Sequence, residues 1–163
     1  MNYHKISRFD TANGIGIGSV LWVSGCNHHC EGCHNPETWD ENSGQVFTET
    51  ALNELLESIS EPYITRVTFS GGDPLYPSNR SVVLKCVEKI KGVYPNKKIW
   101  MYTGYTFETV CGLEILHYID VLVDGPFVND LKDISLPFCG STNQRVIDVA
   151  QTLKTHSIVL WHN

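Results

Sequence analysis

The sequence predicts an α/β fold, a partial, open (β/α) barrel with a mainly parallel sheet, and three observations carry that prediction. Strand, loop and helix patterns alternate at least three times, which builds βαβ units. The polar, Gly-rich stretches SGCNHHCEGC, SGGDPL, YTGY and VDGPF each follow an expected strand, at the edge where parallel sheets carry functional groups. At 163 residues the chain can bury its own core, yet it is too short for a closed eight-unit barrel of roughly 250 residues. No repeat or linker-like tract marks a boundary, so residues 1–163 read as a single domain.

The elements follow in order. SVLWVSG (19–25) is a short β-rich apolar run that ends in a cysteine loop. Thr48 is placed to cap a helix in which Ala51, Leu52, Leu55, Leu56 and Ile59 share one face, and Pro62 stops it. ITRVTFSGGDP (64–74) reads as a buried strand running into a Gly-rich loop. Ser78 or Asn79 can cap a second helix carrying Val82, Val83, Cys86, Val87 and Ile90. KIWMYTGY (98–105) is a third strand. It leads to a third helix from Thr106, with turns marked by Phe107, Val110 and Leu113 or Glu114 and weakened by Gly112. IDVLVDG (119–125) is the fourth strand, and RVIDVAQTLKTHSIVLWHN is rich in β-branched residues without a clear period.

Composition narrows the function classes. Asp and Glu number 18 against 12 Lys and Arg, a formal charge of −6, which argues against sequence-independent nucleic-acid binding driven by cations on phosphates. The opening MNYHKISRFD lacks the apolar core of a signal peptide, and no run approaches the roughly 20 apolar residues that span a bilayer. These features point to the cytoplasm, with neither a nucleic-acid nor a membrane partner.

Half of the six cysteines fall in VSGCNHHCEGCHN (23–35), at positions 26, 30 and 33. In a reducing compartment disulfides are disfavoured, and a reactive thiol needs one cysteine with an activating base, so metal ligation takes most of the weight. Structural zinc wants four ligands, for which His28, His29 or His34 would have to complete the set. A [4Fe–4S] cluster is normally held by four thiolates, so three on one loop leave an iron open for chemistry. His28 and His29 themselves read as solvated loop residues. Cys86 and Cys111 read as small buried hydrophobes in helices. Gly14, Gly16 and Gly18 lack the preceding strand, following helix and third glycine of a dinucleotide fingerprint, and read as a flexible lead-in to the first strand. Gly71, Gly72 and Asp73 are, on spacing alone, a tight turn.

The C-x3-C-x2-C spacing of Cys26, Cys30 and Cys33 matches the radical S-adenosylmethionine superfamily, and SGGDPL (70–75) resembles its GGE-type motif. Further blocks in the same order narrow the resemblance: MNYHKISRFDTANGIG, GCNHHCEGCHNPETW, SGGDPLYP, IWMYTGYT, DVLVDGPF with DLKD, and GSTNQR. Over most of the chain they resemble the anaerobic ribonucleoside-triphosphate reductase activating proteins, a family of glycyl-radical-enzyme activases. Two positions depart from the family's pattern: His34 stands where members often have Tyr, and Cys139 where they often have Arg.

The resemblance implies an iron–sulfur oxidoreductase of the radical S-adenosylmethionine fold type. Cys26, Cys30 and Cys33 would ligate three irons of a [4Fe–4S] cluster, and S-adenosyl-L-methionine would chelate the fourth. Cleavage of that cofactor would yield a 5′-deoxyadenosyl radical, which removes a hydrogen from a glycine of the anaerobic reductase; no acid–base pair is needed. Gly71 and Gly72 would let backbone carbonyls approach the methionyl ammonium, with Asp73 as a carboxylate near it. Backbone around Gly32, Cys33 and His34 would contact the adenosyl part. The reductase's glycyl-radical subunit would be the partner and a flavodoxin-like protein the reductant. Rival readings are the activase of another glycyl-radical enzyme, a small-molecule radical reaction on the same fold, and a zinc-binding module without catalysis. Asp124, at the end of the fourth strand, either faces the site or caps a turn.

Overall fold

In the computed structural model, which describes residues 1–162, one sheet contains β1 (Asn2–Asp10), β2 (Ile17–Val23), β3 (Gln45–Val46), β4 (Ile64–Gly71), β5 (Lys98–Tyr102), β6 (Val121–Asp124) and β7 (Arg145–Asp148). Residue 163 of the expected domain lies outside the described residues. The spatial order is β3-β1-β2-β4-β5-β6-β7. The four central strands β2, β4, β5 and β6 are parallel, while β1, β3 and β7 add antiparallel pairings at the edges. The sheet is therefore mixed α/β, parallel in the middle and not closed, since β3 and β7 stand at opposite ends.

The βαβ units seen in the sequence account for the parallel centre. Helix α1 (Glu49–Ser58) starts where Thr48 accepts a hydrogen bond from Ala51 N. Helix α2 (Arg80–Val93) joins β4 to β5, and the α3 segment joins β5 to β6. That third helix is shorter than expected: α3 (Phe107–Val110) is one turn, and a 3₁₀ segment, Glu114–Tyr118, follows after Gly112. The unforeseen α4 (Val149–Thr155) begins at Asp148, whose carboxylate accepts from Gln151 N at 2.9 Å. The N-terminal strand β1 was also unforeseen, because only Tyr3 in it is buried and the rest shows no clean alternation.

Alternation along the central strands divides the sheet into two faces. Leu21, Val67, Phe69, Ile99, Met101 and Leu122 pack against Leu55 of α1, Ile59 at its C-cap, and Val83, Val87 and Ile90 of α2. Each such fully buried side chain contributes about 1.5–3 kcal/mol. The opposite face is mixed: Arg66, Thr68 and Ser70 on β4, and Trp100 and Tyr102 on β5. Trp100 stacks edge-on with Phe138 and Trp161 at 5.0 and 5.2 Å.

Arg66 is fully buried on this face. Its Nη2 donates to Asp10 Oδ1 at 2.6 Å and Asp10 O at 2.9 Å, and Nη1 donates to Thr68 Oγ1 at 2.8 Å. A Cβ on Gly14 would stand 2.9 Å from Arg66 Nε, and one on Gly18 would stand 2.7 Å from its Nη1. These glycines are therefore not a loose lead-in. They make room for a buried guanidinium.

Candidate functional site

The cysteine loop leaves β2 at the carboxyl edge and is tied down at once. Ser24 N donates to Asn2 O at 2.9 Å, Gly25 N to Thr38 O at 2.8 Å, and Cys26 N to Trp39 O at 3.0 Å. Asn79, the one of the two candidates, Ser78 and Asn79, that stands at the cap of α2, sends its side chain elsewhere: Nδ2 donates to Ser24 O at 2.8 Å and to Asp73 O at 3.0 Å. The GGD turn after β4 is thereby pinned to the residues that precede Cys26. Gly72 N donates to Val23 O at 2.7 Å and Asp73 N to Gly25 O at 2.8 Å. Gly71 has φ of 102°, a left-handed conformation that glycine adopts without penalty. The space where Cβ atoms of Gly71 and Gly72 would stand is filled by the backbone of residues 22–25.

Asp73 is 1% exposed and fully engaged. Its oxygens accept from Leu75 N at 2.8 Å, Gly104 N at 3.0 Å and Thr103 Oγ1 at 2.9 and 3.0 Å, and Oδ2 lies 2.9 Å from His28 Nε2. A carboxylate can only accept, so Nε2 carries the proton. This corrects the reading of His28 as a solvated loop residue. Asp73 joins three loops, and His28 is docked on it with its ring edge-on to Tyr105 at 4.6 Å, not solvated. His29 is exposed and packs edge-on to Trp39 at 4.8 Å.

A cavity of about 440 Å³ opens at the carboxyl edge on the mixed face, lined by Cys30, Cys33, Ser70, Tyr102, Phe127 and Cys139 among others. His34 also lines it, 6.1 Å from the Phe127 ring. Gly32 has φ of 72°, and a Cβ there would stand 2.9 Å from Asn129 Oδ1, so the cysteine loop abuts the segment after β6. Cys26 lies on the other side of its loop, in a cleft beside Trp39 and Tyr76. Cys139 shares the cavity with Cys30 and Cys33, whereas Cys86 is buried in the core. Cys111 was expected to be buried but is exposed at the end of α3, because the helix there is too short to cover it. Asp124 does not face the cavity: it accepts from Phe107 N at 2.7 Å and pairs with Arg145, which also grips Glu108 at 2.9 and 3.0 Å.

One trio among the described residues, Cys26, His28 and Asp73, brings three donor atoms within 4.8 Å of one another. That would suit zinc, but two of the three are already bonded to each other. Comparison with known proteins weighs on the other side. A family described as "4Fe-4S single cluster domain" matches residues 12–147. The anaerobic ribonucleoside-triphosphate reductase-activating protein of Enterobacteria phage T4 is 45% identical over 146 residues, 90% of this chain and 93% of that protein. Its counterpart in Escherichia coli K12 is 44% identical over 150 residues, covering 90% of this chain and 97% of the relative. That of Vibrio cholerae is 41% identical over 148 residues, 88% and 96% of the two chains. The chain belongs to the anaerobic ribonucleoside-triphosphate reductase-activating protein family.

A 4Fe-4S domain in this family asks for soft anionic donors, and the loop offers three free, half-buried thiols. Burial pushes the Cys26 thiol up to about 11 and raises Cys30 as well. Nearby backbone N–H groups pull the other way, those of His28 and His29 for Cys26 and that of Phe127 for Cys30. Asn35 N donates to Cys33 Sγ at 3.4 Å. The Cys33 sulfur thus has a backbone donor ready for the thiolate that iron binding would create. Thr103, Gly104 and Phe127 were not singled out from sequence, and Asn79 was read only as a possible helix cap. For Thr103 and Gly104 the signal was present in the family block YTGY, while Phe127 follows VDG in another such block. Among the described residues no helix is long and apolar enough to cross a membrane.

Proposed function

We propose that this chain is a radical S-adenosylmethionine activase that generates a glycyl radical on an anaerobic ribonucleoside-triphosphate reductase. The observation that carries this reading is the set of three free thiols on one loop, two of them lining a cavity at the carboxyl edge of parallel strands. When bound, the cluster and S-adenosylmethionine supply an electron and the 5′-deoxyadenosyl radical that removes the glycine hydrogen. The chain binds and orients. Cys26, Cys30 and Cys33 hold three irons and leave the fourth for the cofactor's amino and carboxylate groups. Ser70 and Tyr102 wall the cavity from the sheet, and backbone around Gly32, Cys33 and His34 receives the adenosyl part. Backbone carbonyls at Gly71 and Gly72 serve the methionyl ammonium. Asp73, with every donor around it already engaged, acts by holding the loops, not by meeting that cation.

Residues 1–163 form one radical S-adenosylmethionine domain in this reading, its sheet a partial, open barrel whose uncovered side admits a peptide loop. The protein works in the cytoplasm with a flavodoxin-like reductant. The test is anaerobic incubation of the reconstituted protein with the reductase, S-adenosylmethionine and reductant, followed by electron paramagnetic resonance for a glycyl-radical signal. No such signal from a protein carrying a full cluster would refute the assignment. The Cys26, His28 and Asp73 trio supports zinc as the second reading. A colourless reconstituted protein holding zinc would favour it, whereas a cluster absorbs broadly in the visible.

A further inference from the structure

The YTGY stretch is a seat for one side chain of the cysteine loop. A Cβ on Gly104 would stand 2.6 Å from both Cγ and Nε2 of His28, so the imidazole lies flat against the glycine. Gly104 is not in the left-handed region, so backbone conformation does not demand glycine there. What demands it is the ring. Thr103 Oγ1 and Gly104 N hold the Asp73 carboxylate that receives Nε2–H, and Tyr105 closes the seat edge-on. Tyr105 also donates its hydroxyl to Asn27 Oδ1 at 3.1 Å, a second tie to the segment between the first two cysteines.

The seat fixes that segment in a particular way. His29 has φ of 46°, and the Cys26 sulfur lies within 4.8 Å of a His28 ring nitrogen and an Asp73 carboxylate oxygen. The groups that orient a cluster ligand tune both metal retention and reduction potential. We propose that His28 is a positioning residue for the cluster: its imidazole, seated on Asp73, Gly104 and Tyr105, fixes the segment that joins Cys26 to Cys30 and so sets where the Cys26 sulfur stands. This rests on the cluster reading above, and it gives the TGY residues a task at the site although none of them is a ligand.

Three variants test it: His28→Ala, His28→Gln and Gly104→Ala, each reconstituted anaerobically beside wild type. The readouts are the rate of iron release to a ferrous chelator, the midpoint potential of the cluster, and thermal unfolding of the iron-free protein. His28→Ala and Gly104→Ala should release iron roughly ten-fold faster or more and should share one shifted potential. His28→Gln, which keeps an N–H at similar reach, should stay near wild type in both. Wild-type release and potential in both His28→Ala and Gly104→Ala would overturn the proposal. So would a lowered melting temperature with an unmoved potential, since that is a purely structural role. Failure of His28→Gln to restore what His28→Ala loses would overturn the hydrogen-bonded seat. A wild-type protein that takes up no cluster would instead refute the cluster reading, and the proposal with it.

Discussion

Replacing Gly72 by Ala sets a methyl group 2.6 Å from the carbonyl oxygen of Gly25 and 3.0 Å from its N and C. These are backbone atoms of the residue before Cys26, held by bonds to Thr38 and Asp73, and they cannot swing aside as a side chain would. Relief to the 3.4 Å of ordinary contact needs a shift of about 0.8 Å between the GGD turn and the cysteine loop. Gly72 is not in the left-handed region, so the cost is steric. Overpacking of this kind costs about 1–3 kcal/mol, and a loosened backbone hydrogen bond adds about 0.5–1.5 kcal/mol. For a chain of this size, about 2–4 kcal/mol lowers the melting temperature by roughly 4–16 °C. Because the displaced residue adjoins a ligand, iron content should fall with stability, while the cofactor affinity of the molecules that keep a cluster changes little. Gly92→Ala, where nothing lies within 4 Å, is the control and should leave stability unchanged or raise it by up to about 1 kcal/mol. The assays are anaerobic thermal unfolding, iron determination and calorimetric titration with S-adenosylmethionine. A melting temperature within a degree of wild type, together with weakened cofactor binding, would refute the steric argument and put the added methyl in the cofactor's path instead of against Gly25.

Cys26→Ala, Cys30→Ala and Cys33→Ala should each lose activity and most of the cluster. Cys86→Ala and Cys111→Ala should keep iron near wild type, and equal loss in all five would sink the ligand assignment. Asp10→Ala leaves the buried Arg66 guanidinium without its carboxylate and should cost about 3–5 kcal/mol, whereas Arg66→Met should cost far less because it removes the charge itself. Denaturant unfolding that ranks the two the other way would refute this asymmetry. Burial raises the Cys26 and Cys30 thiols, so both hold their protons at neutral pH in the iron-free protein, and iron must displace them. The initial rate of cluster assembly should therefore climb as pH rises from 7 to 9. A flat profile would show that thiol deprotonation does not limit assembly.

The parallel centre of the sheet was legible because each of its strands is an apolar run that ends in a Gly-rich loop, and α1 and α2 carry clean helical stripes. The edges were not legible. β1 buries one residue of nine, so its place is set by pairing with β2 and not by its own pattern. β7 and α4 share a junction at Asp148, and the aspartate before VAQ was a usable N-cap signal that went unread. At the site, the three cysteines declared themselves by spacing, but His28 did not. Its role depends on Asp73 and Gly104, which are 45 and 76 residues away along the chain. A solvated histidine and one seated on a buried carboxylate look identical in a short window of sequence.

The burial of Asp73 has a physical logic that ties these observations together. A carboxylate beside the cluster loop raises the Cys26 thiol, so on charge alone it opposes the thiolates that iron requires. That opposition is weakened when the carboxylate is surrounded by donors, and here two backbone N–H groups, the Thr103 hydroxyl and the His28 ring surround it. Those donors come from the GGDPL segment, the YTGY stretch and the cysteine loop, three segments that follow different parallel strands. Satisfying one buried charge therefore brings the three loops to a common point, since any loop that withdrew would leave the carboxylate short of a partner at about 1–3 kcal/mol. The glycines at 71, 72 and 104 are the other half of the same requirement: the three segments can meet at Asp73 only where no Cβ stands between them.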